Sequence, residues 1–243
     1  MSDRYEFEMD GWDMDRPDIY FASSPWRGTW KGEAGGALIN QSIHNIDIWA
    51  WVFGMPKTLR AWCKYGKYHD IEVEDEVICH MDLPNGASAT FTTSTGEYPG
   101  ANRLVIAGDK AFVVAEGGKL TITKFVGTTL SEYTKNTLYM FGSPETEEET
   151  EEFFGNGEQH VGVLKNFVNA LEGRGNLDFD ASQGVLSLEL ANAMLLSSWT
   201  NSDVSLPLDH GQYKKLLDQK IAASKLRGNP KQNAIVDFKK SFK

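Results

Sequence analysis

Between Leu59 and Ile122, short apolar runs, several of them alternating at every second position, are separated by one turn signal after another. Leu59, Ala61 and Cys63 alternate with more polar neighbours. So do Val77, Cys79, Met81 and Leu83, and then Ala87, Ala89, Phe91 and Thr93. Alternation of this kind puts one row of side chains on a buried sheet face and the other on the opposite face. Pro84-Asn85-Gly86 between the last two sets predicts a hairpin. Leu104-Val105-Ile106 before Gly108-Asp109-Lys110, and Phe112-Val113-Val114 before Gly117-Gly118, continue the series, with Leu120 and Ile122 following. Tyr5, Phe7 and Met9 give a short first strand. The expected fold class is therefore α+β: a large open, mostly antiparallel sheet with helices packed on one face. Its other face is free or paired with a second subunit.

Between Gly35 and Pro56 the period is helical. Ile39, Ile43, Ile46, Ala50 and Phe53 form one apolar face, opened by Gly35-Gly36 and stopped by Gly54 and Pro56. A second stripe runs beside it: Asn40, His44, Asp47 and Trp51. Residues three or four apart are neighbours on a helix, so an amide, an imidazole and a carboxylate project together. The two glycines let another backbone or a ligand come close. One reading is a site where His44 moves a proton, since imidazole titrates near neutrality, while its neighbours orient it. The other is a helix-packing surface where His44 and Asp47 satisfy each other or backbone groups.

The ordered run W-R-G-T-W, then G-G-A-L-I-N-Q-S-I-H-N-I-D, then G-M-P, resembles the opening of the C-terminal, substrate-binding domain of the Gfo/Idh/MocA family of NAD(P)-dependent oxidoreductases. The resemblance implies a fold like the C-terminal domains of dihydrodipicolinate reductase and glyceraldehyde-3-phosphate dehydrogenase. It implies that His44 acts on a substrate hydroxyl while hydride passes to a nicotinamide. Many members carry Asp where this chain has Asn40. An amide cannot relay a proton, so Asn40 is given a positioning part in the catalytic pair. Trp26, Arg27, Gln41 and Asp47 are assigned to substrate binding. The planar fork of Arg27 suits an anionic or polyhydroxylated substrate, or else pairs with an acidic side chain in a structural role. The E-V-E-D-E-V entry at 72–77 also resembles the family's sheet, its acids read as strand-edge and solvent features.

The rest of the chain narrows the reading. A net charge of −10 over 243 residues argues against nucleic acid. Cys63 and Cys79 suggest no disulfide framework, so a cytoplasmic location is expected, with no secretory signal at the N-terminus and no apolar run long enough for a membrane. The glutamates between 145 and 152 read as a solvated loop or helix face, the other reading being a metal or cationic partner site, for which consecutive glutamates diverge too much. Val161, Leu164, Val168 and Leu171 predict a helix ended by Gly173. Val185, Leu188, Ala191 and Leu195 predict a second, preceded by Asp178 and Asp180, and Tyr213 to Leu226 a third. His160 is placed at the pocket by resemblance, or else is a surface or capping residue. The division expected is a lead-in strand and loop over 1–25, the substrate domain over 26–226 and a basic tail over 227–243.

Two parts of a complete family enzyme have no counterpart in this sequence. One is the G-x-G-x-x-G phosphate loop of a Rossmann domain. The other is the E-K-P motif that carries the family's catalytic lysine. The complete enzyme is expected to use NAD or NADP, whereas no cofactor and no metal is expected on this chain alone. The expected function is the substrate-binding and oligomerisation part of a sugar, nucleotide-sugar or cyclitol dehydrogenase, inactive in isolation. Its expected partners are a polyol or sugar, a second copy through the sheet face, and a separate nucleotide-binding domain or chain. The alternative is a carbohydrate-binding or assembly module that kept the fold and lost the chemistry.

Overall fold

The computed structural model describes residues 4–10, 17–97, 100–155, 157–178 and 181–226, with side chains from residue 17 onward. The expected tail, 227–243, lies outside the described residues, as do Asp180 and the side chains of Tyr5, Phe7 and Met9. The strands are β1 (Arg4–Asp10), β2 (Thr58–Tyr65), β3 (Glu74–Asp82), β4 (Ser88–Ser94), β5 (Asn102–Ala107), β6 (Ala111–Glu116), β7 (Lys119–Phe125), β8 (Thr146–Glu152) and β9 (Val204–Ser205). They form one nine-stranded sheet in the order β8-β7-β6-β5-β1-β4-β3-β2-β9. Only the β1–β4 pair is parallel. The α+β class and the mostly antiparallel sheet match the sequence reading. The lead-in strand β1 is hydrogen-bonded between β4 and β5, an interior member of the sheet.

The helices are α1 (Asp18–Ala22), α2 (Trp30–Glu33), α3 (Ala37–Asn40), α4 (Ile43–Phe53), α5 (Leu130–Asn136), α6 (Gln159–Leu171), α7 (Gly184–Thr200) and α8 (His210–Ala223). The core lies where α3, α4 and α7 meet the inner face of β2, β3 and β4. Ala61, Val77, Cys79, Met81, Ala89 and Phe91 face Leu38, Ile46, Trp49, Leu190 and Met194, all of them buried. Sheet alternation accounts for the first set. At about 25 cal/mol per Å² of apolar surface removed from water, burial of these side chains drives the layer packing. Beyond the two residues paired with β9, α7 covers the edge of β2. Ala61 N–H donates to Ser197 Oγ at 2.9 Å and Cys63 N–H to Ser198 Oγ at 3.1 Å, satisfying strand donors that lack a neighbouring strand.

Several expectations change. The helix expected from Gly35 to Gly54 is two pieces, broken at Gln41-Ser42. On α7 the expected face is buried only in its C-terminal half, at Ala191 and Leu195. Ser187, Leu190, Ala191 and Met194 are buried while Val185 and Leu188 are exposed, because the helix leans on β2 and α4. The glutamate run is neither loop nor helix but the edge strand β8, paired with β7, with Lys124 Nζ 2.6 Å from Glu149 Oε2. Charged side chains on an edge disfavour pairing with another chain. The helix α6 forms as expected and ends near Gly173, yet none of its residues is buried. Val161, Leu164, Phe167 and Leu171 are exposed, as is the loop from Leu138 to Phe141.

Candidate functional site

The W-R-G-T-W-K-G-E segment folds into a tight turn and one helical turn for identifiable reasons. Gly28 takes a positive φ of 68°, which favours glycine. Its N–H donates to Glu33 Oε2 at 2.5 Å and its carbonyl accepts from Glu72 N–H at 2.8 Å. Thr29 caps α2 by accepting from Gly32 N–H at 3.1 Å. Trp30 then enters the core, its ring 5.5 Å from that of Trp199, and the Lys220 ammonium lies 5.1 Å from its centroid. Arg27 is sandwiched, its guanidinium 4.1 Å from the Tyr20 ring and 4.5 Å from the Trp26 ring. It also donates to the Tyr20 hydroxyl and lies 4.0 Å from Glu33 Oε1. Of the two roles read for Arg27 in the sequence, these contacts are the structural one; Trp26 is exposed beside it.

The glycine pair opens the next element. A Cβ on Gly36 would sit 2.1 Å from the carbonyl oxygen of Glu74 and 2.8 Å from Val73 Cγ2, so the partner that comes close is the backbone of β3. Glu74 completes the junction. Its Oε1 accepts from Gly36 N–H at 2.8 Å and Leu38 N–H at 3.1 Å, filling donors at the start of α3 that have no helical partner. Glu74 is fully buried, and that burial pushes its carboxyl up to about 7 despite these hydrogen bonds. Next to it, the buried Asp75 gathers the loop 67–69, accepting from the N–H groups of Lys67 at 3.0 Å, Tyr68 at 2.7 Å and His69 at 3.3 Å. The reading of these acids as edge and solvent features is thereby corrected: both are 0 % exposed.

Past the break, α4 is pinned to the sheet. Ser42 Oγ lies 2.6 Å from Thr93 Oγ1, and Asn45 Nδ2 donates to Asn102 Oδ1 at 3.1 Å. The expected stripe of Asn40, His44, Asp47 and Trp51 does share the exposed side of α3 and α4. Asp47 accepts from Ser187 Oγ at 3.1 Å, which ties α4 to α7.

A small cleft lies over Gly36, with polar lining from Tyr20, Glu33, Asn40, Gln41, Glu74 and Thr95. It encloses about 10 Å³, room for about one water-sized group. Asn40 and Gln41 thus reach the cleft, and Arg27 touches its wall through Tyr20. His44 and Asp47 lie outside its lining, on the adjoining surface of α4. His160 is not brought to it: it is exposed on α6. Ser42, Asn45 and Tyr20 are residues of this region that sequence reasoning passed over, and Glu74 and Asp75 are ones it misplaced at the strand edge. A cleft of this size does not fit a dinucleotide, and no glycine-rich strand-to-helix phosphate loop occurs among the described residues. No group of metal-ligating side chains is found among them either.

Solved dehydrogenase structures share this fold. The WlbA dehydrogenases of Chromobacterium violaceum and Bordetella pertussis, each solved with NADH and UDP-GlcNAcA, align with a TM-score of 0.63 and 24% identity. Each alignment covers 85% of this chain and 55% of theirs. Levoglucosan dehydrogenase with NADH aligns with a TM-score of 0.64 at 16% identity, over 86% of this chain and 59% of that one. It has also been solved with NADH and L-sorbose. This chain therefore spans somewhat more than half the length of the structures it matches. No curated protein matches it in sequence. Residues 5–114 match the model of the GFO/IDH/MocA C-terminal domain.

Proposed function

We propose that this chain supplies the substrate-binding and oligomerisation part of an NAD(P)-dependent dehydrogenase acting at a secondary alcohol of a sugar, nucleotide sugar or cyclitol. The observation that carries the reading is the Glu74 clamp on Gly36 and Leu38. It holds α3 so that Asn40 and Gln41 line a cleft while His44 stands exposed just beyond. The fold shared with structures that hold NADH and sugar ligands supports it. The nicotinamide, bound outside these residues, supplies the hydride acceptor. The part of this chain is confined to the hydroxyl: Asn40 orients it and His44 takes its proton. Trp26, Gln41 and Asp47 are the further substrate contacts, with Arg27 bracing the wall. Subunits pair through the outer sheet face, where Trp62, Ile78 and Phe112 are exposed.

The test is a reconstitution. The chain alone should give no saturable NADH fluorescence change and no turnover. With its nucleotide-binding domain supplied, His44→Ala should lower kcat by about 100-fold or more with little change in KM. Unchanged kcat would remove the proton-transfer role. A second reading, a non-catalytic assembly module, is favoured by the apolar surface left on α6 and at Leu138–Phe141. It predicts no turnover in any reconstitution.

A further inference from the structure

We infer that the cleft over Gly36 is a subsite for one hydroxyl group of a polyhydroxylated ligand, with Glu74 Oε2 as its fixed hydrogen-bond partner. The inference rests on the sugar-dehydrogenase reading and adds to it a recognition residue supplied by the sheet rather than by the helix. Glu74 Oε1 is engaged by two backbone N–H groups, whereas Oε2 is buried and accepts no hydrogen bond from another residue among the described ones. A buried oxygen left in that state costs about 1–3 kcal/mol, more if it is charged, and natural folds leave few of them.

The cleft that Glu74 lines has room for about one water or one hydroxyl, which matches a single missing partner. The other polar groups suit the rest of a polyol. Asn40 and Gln41 offer both donors and acceptors at the rim, and Thr95 lies on the same wall. A cation is a poorer fit. The second carboxylate at the cleft, Glu33, is committed to the Gly28 N–H and the Arg27 guanidinium. Burial raises the Glu74 carboxyl from its ordinary range to about 7. Its free oxygen can therefore accept from a hydroxyl when ionised and donate to one when protonated.

The Gly36 and Leu38 amides report on Glu74 directly, so the test needs no activity. The chain is titrated with L-sorbose, levoglucosan and myo-inositol at millimolar concentration while amide shifts are followed by NMR. The wild type is also crystallised without polyol and soaked with whichever sugar binds. Saturable shifts at both amides, lost or weakened at least tenfold in Glu74→Gln, and a ligand hydroxyl on Oε2 in the crystal are the expected results. Silence at both amides with all three polyols would overturn the inference. So would an ordered water on Oε2 that no polyol displaces, or a protein group bonded to Oε2. Binding through Glu74 without turnover in the reconstituted enzyme would sink the dehydrogenase reading and leave this subsite standing.

Discussion

Replacing Glu74 by Gln should change how stability depends on pH. Burial raises this carboxyl from its ordinary 4.5 to about 7 in the folded protein. Below pH 4.5 both the folded and the unfolded chain keep the proton, and the group contributes nothing to the slope. Between 4.5 and about 7 the unfolded chain releases it while the folded chain retains it. The folded state then binds more protons, and stability falls as pH rises. Above 7 the loss is complete. At about 1.4 kcal/mol per tenfold, the gap between 4.5 and about 7 amounts to about 3 kcal/mol. The side chain is fully buried, so solvent screening does not reduce this figure appreciably. The other acidic residues titrate in wild type and variant alike and cancel in the difference. The assay is chemical denaturation of both proteins from pH 4 to pH 8. The stability of the wild type minus that of the Glu74→Gln variant should fall by about 3 kcal/mol across that range. A constant offset, from an amide nitrogen placed where Oε2 was, is allowed for. Parallel stability curves would refute the argument that burial raises the Glu74 carboxyl.

Gly36→Ala should cost about 1–3 kcal/mol, because its Cβ would meet backbone 2.1 Å away rather than a side chain that can turn aside. An unchanged melting temperature would mean that α3 does not lie against β3 as described. Cys63 and Cys79 should resist a thiol reagent in the folded protein at neutral pH and react on unfolding. Burial pushes the Cys63 thiol up to about 12 and holds Cys79 well above its ordinary value. Rapid labelling of the native chain would contradict that burial. Light scattering should find an oligomer that Trp62→Lys on the outer sheet face dissociates; a clean monomer at high concentration counts against pairing through that face.

The sheet was legible because alternation is a local signal. Leu59, Ala61 and Cys63, and Val77, Cys79 and Met81, face the core as their spacing requires. The β8 edge was not legible: five glutamates in seven residues carry no alternation, and only pairing with β7 makes them a strand. The apolar stripe on α7 misled for a related reason. Its C-terminal half is buried nearly all round, so periodicity there does not choose a face.

The candidate site divides along the same line. Asn40, His44 and Asp47 share an exposed side, as their spacing foretold, although the helix breaks between the first two. Asp75 was open to the same logic, since it shares parity with Val77 and Cys79 and had to point inward. Glu74 was not. By alternation it belongs on the outer face. It is buried because the ladder shifts register between Lys64 and Tyr65, Tyr65 pairs with Glu74, and Gly36 closes over its carbonyl. Nothing local encodes a contact between residues 36 and 74. The glycine pair does encode that something must come close. With β3 in that place, the close approach that could have belonged to a ligand belongs to the fold. Room for a ligand is then left beside the glycines, at the Glu74 oxygen that the backbone does not use.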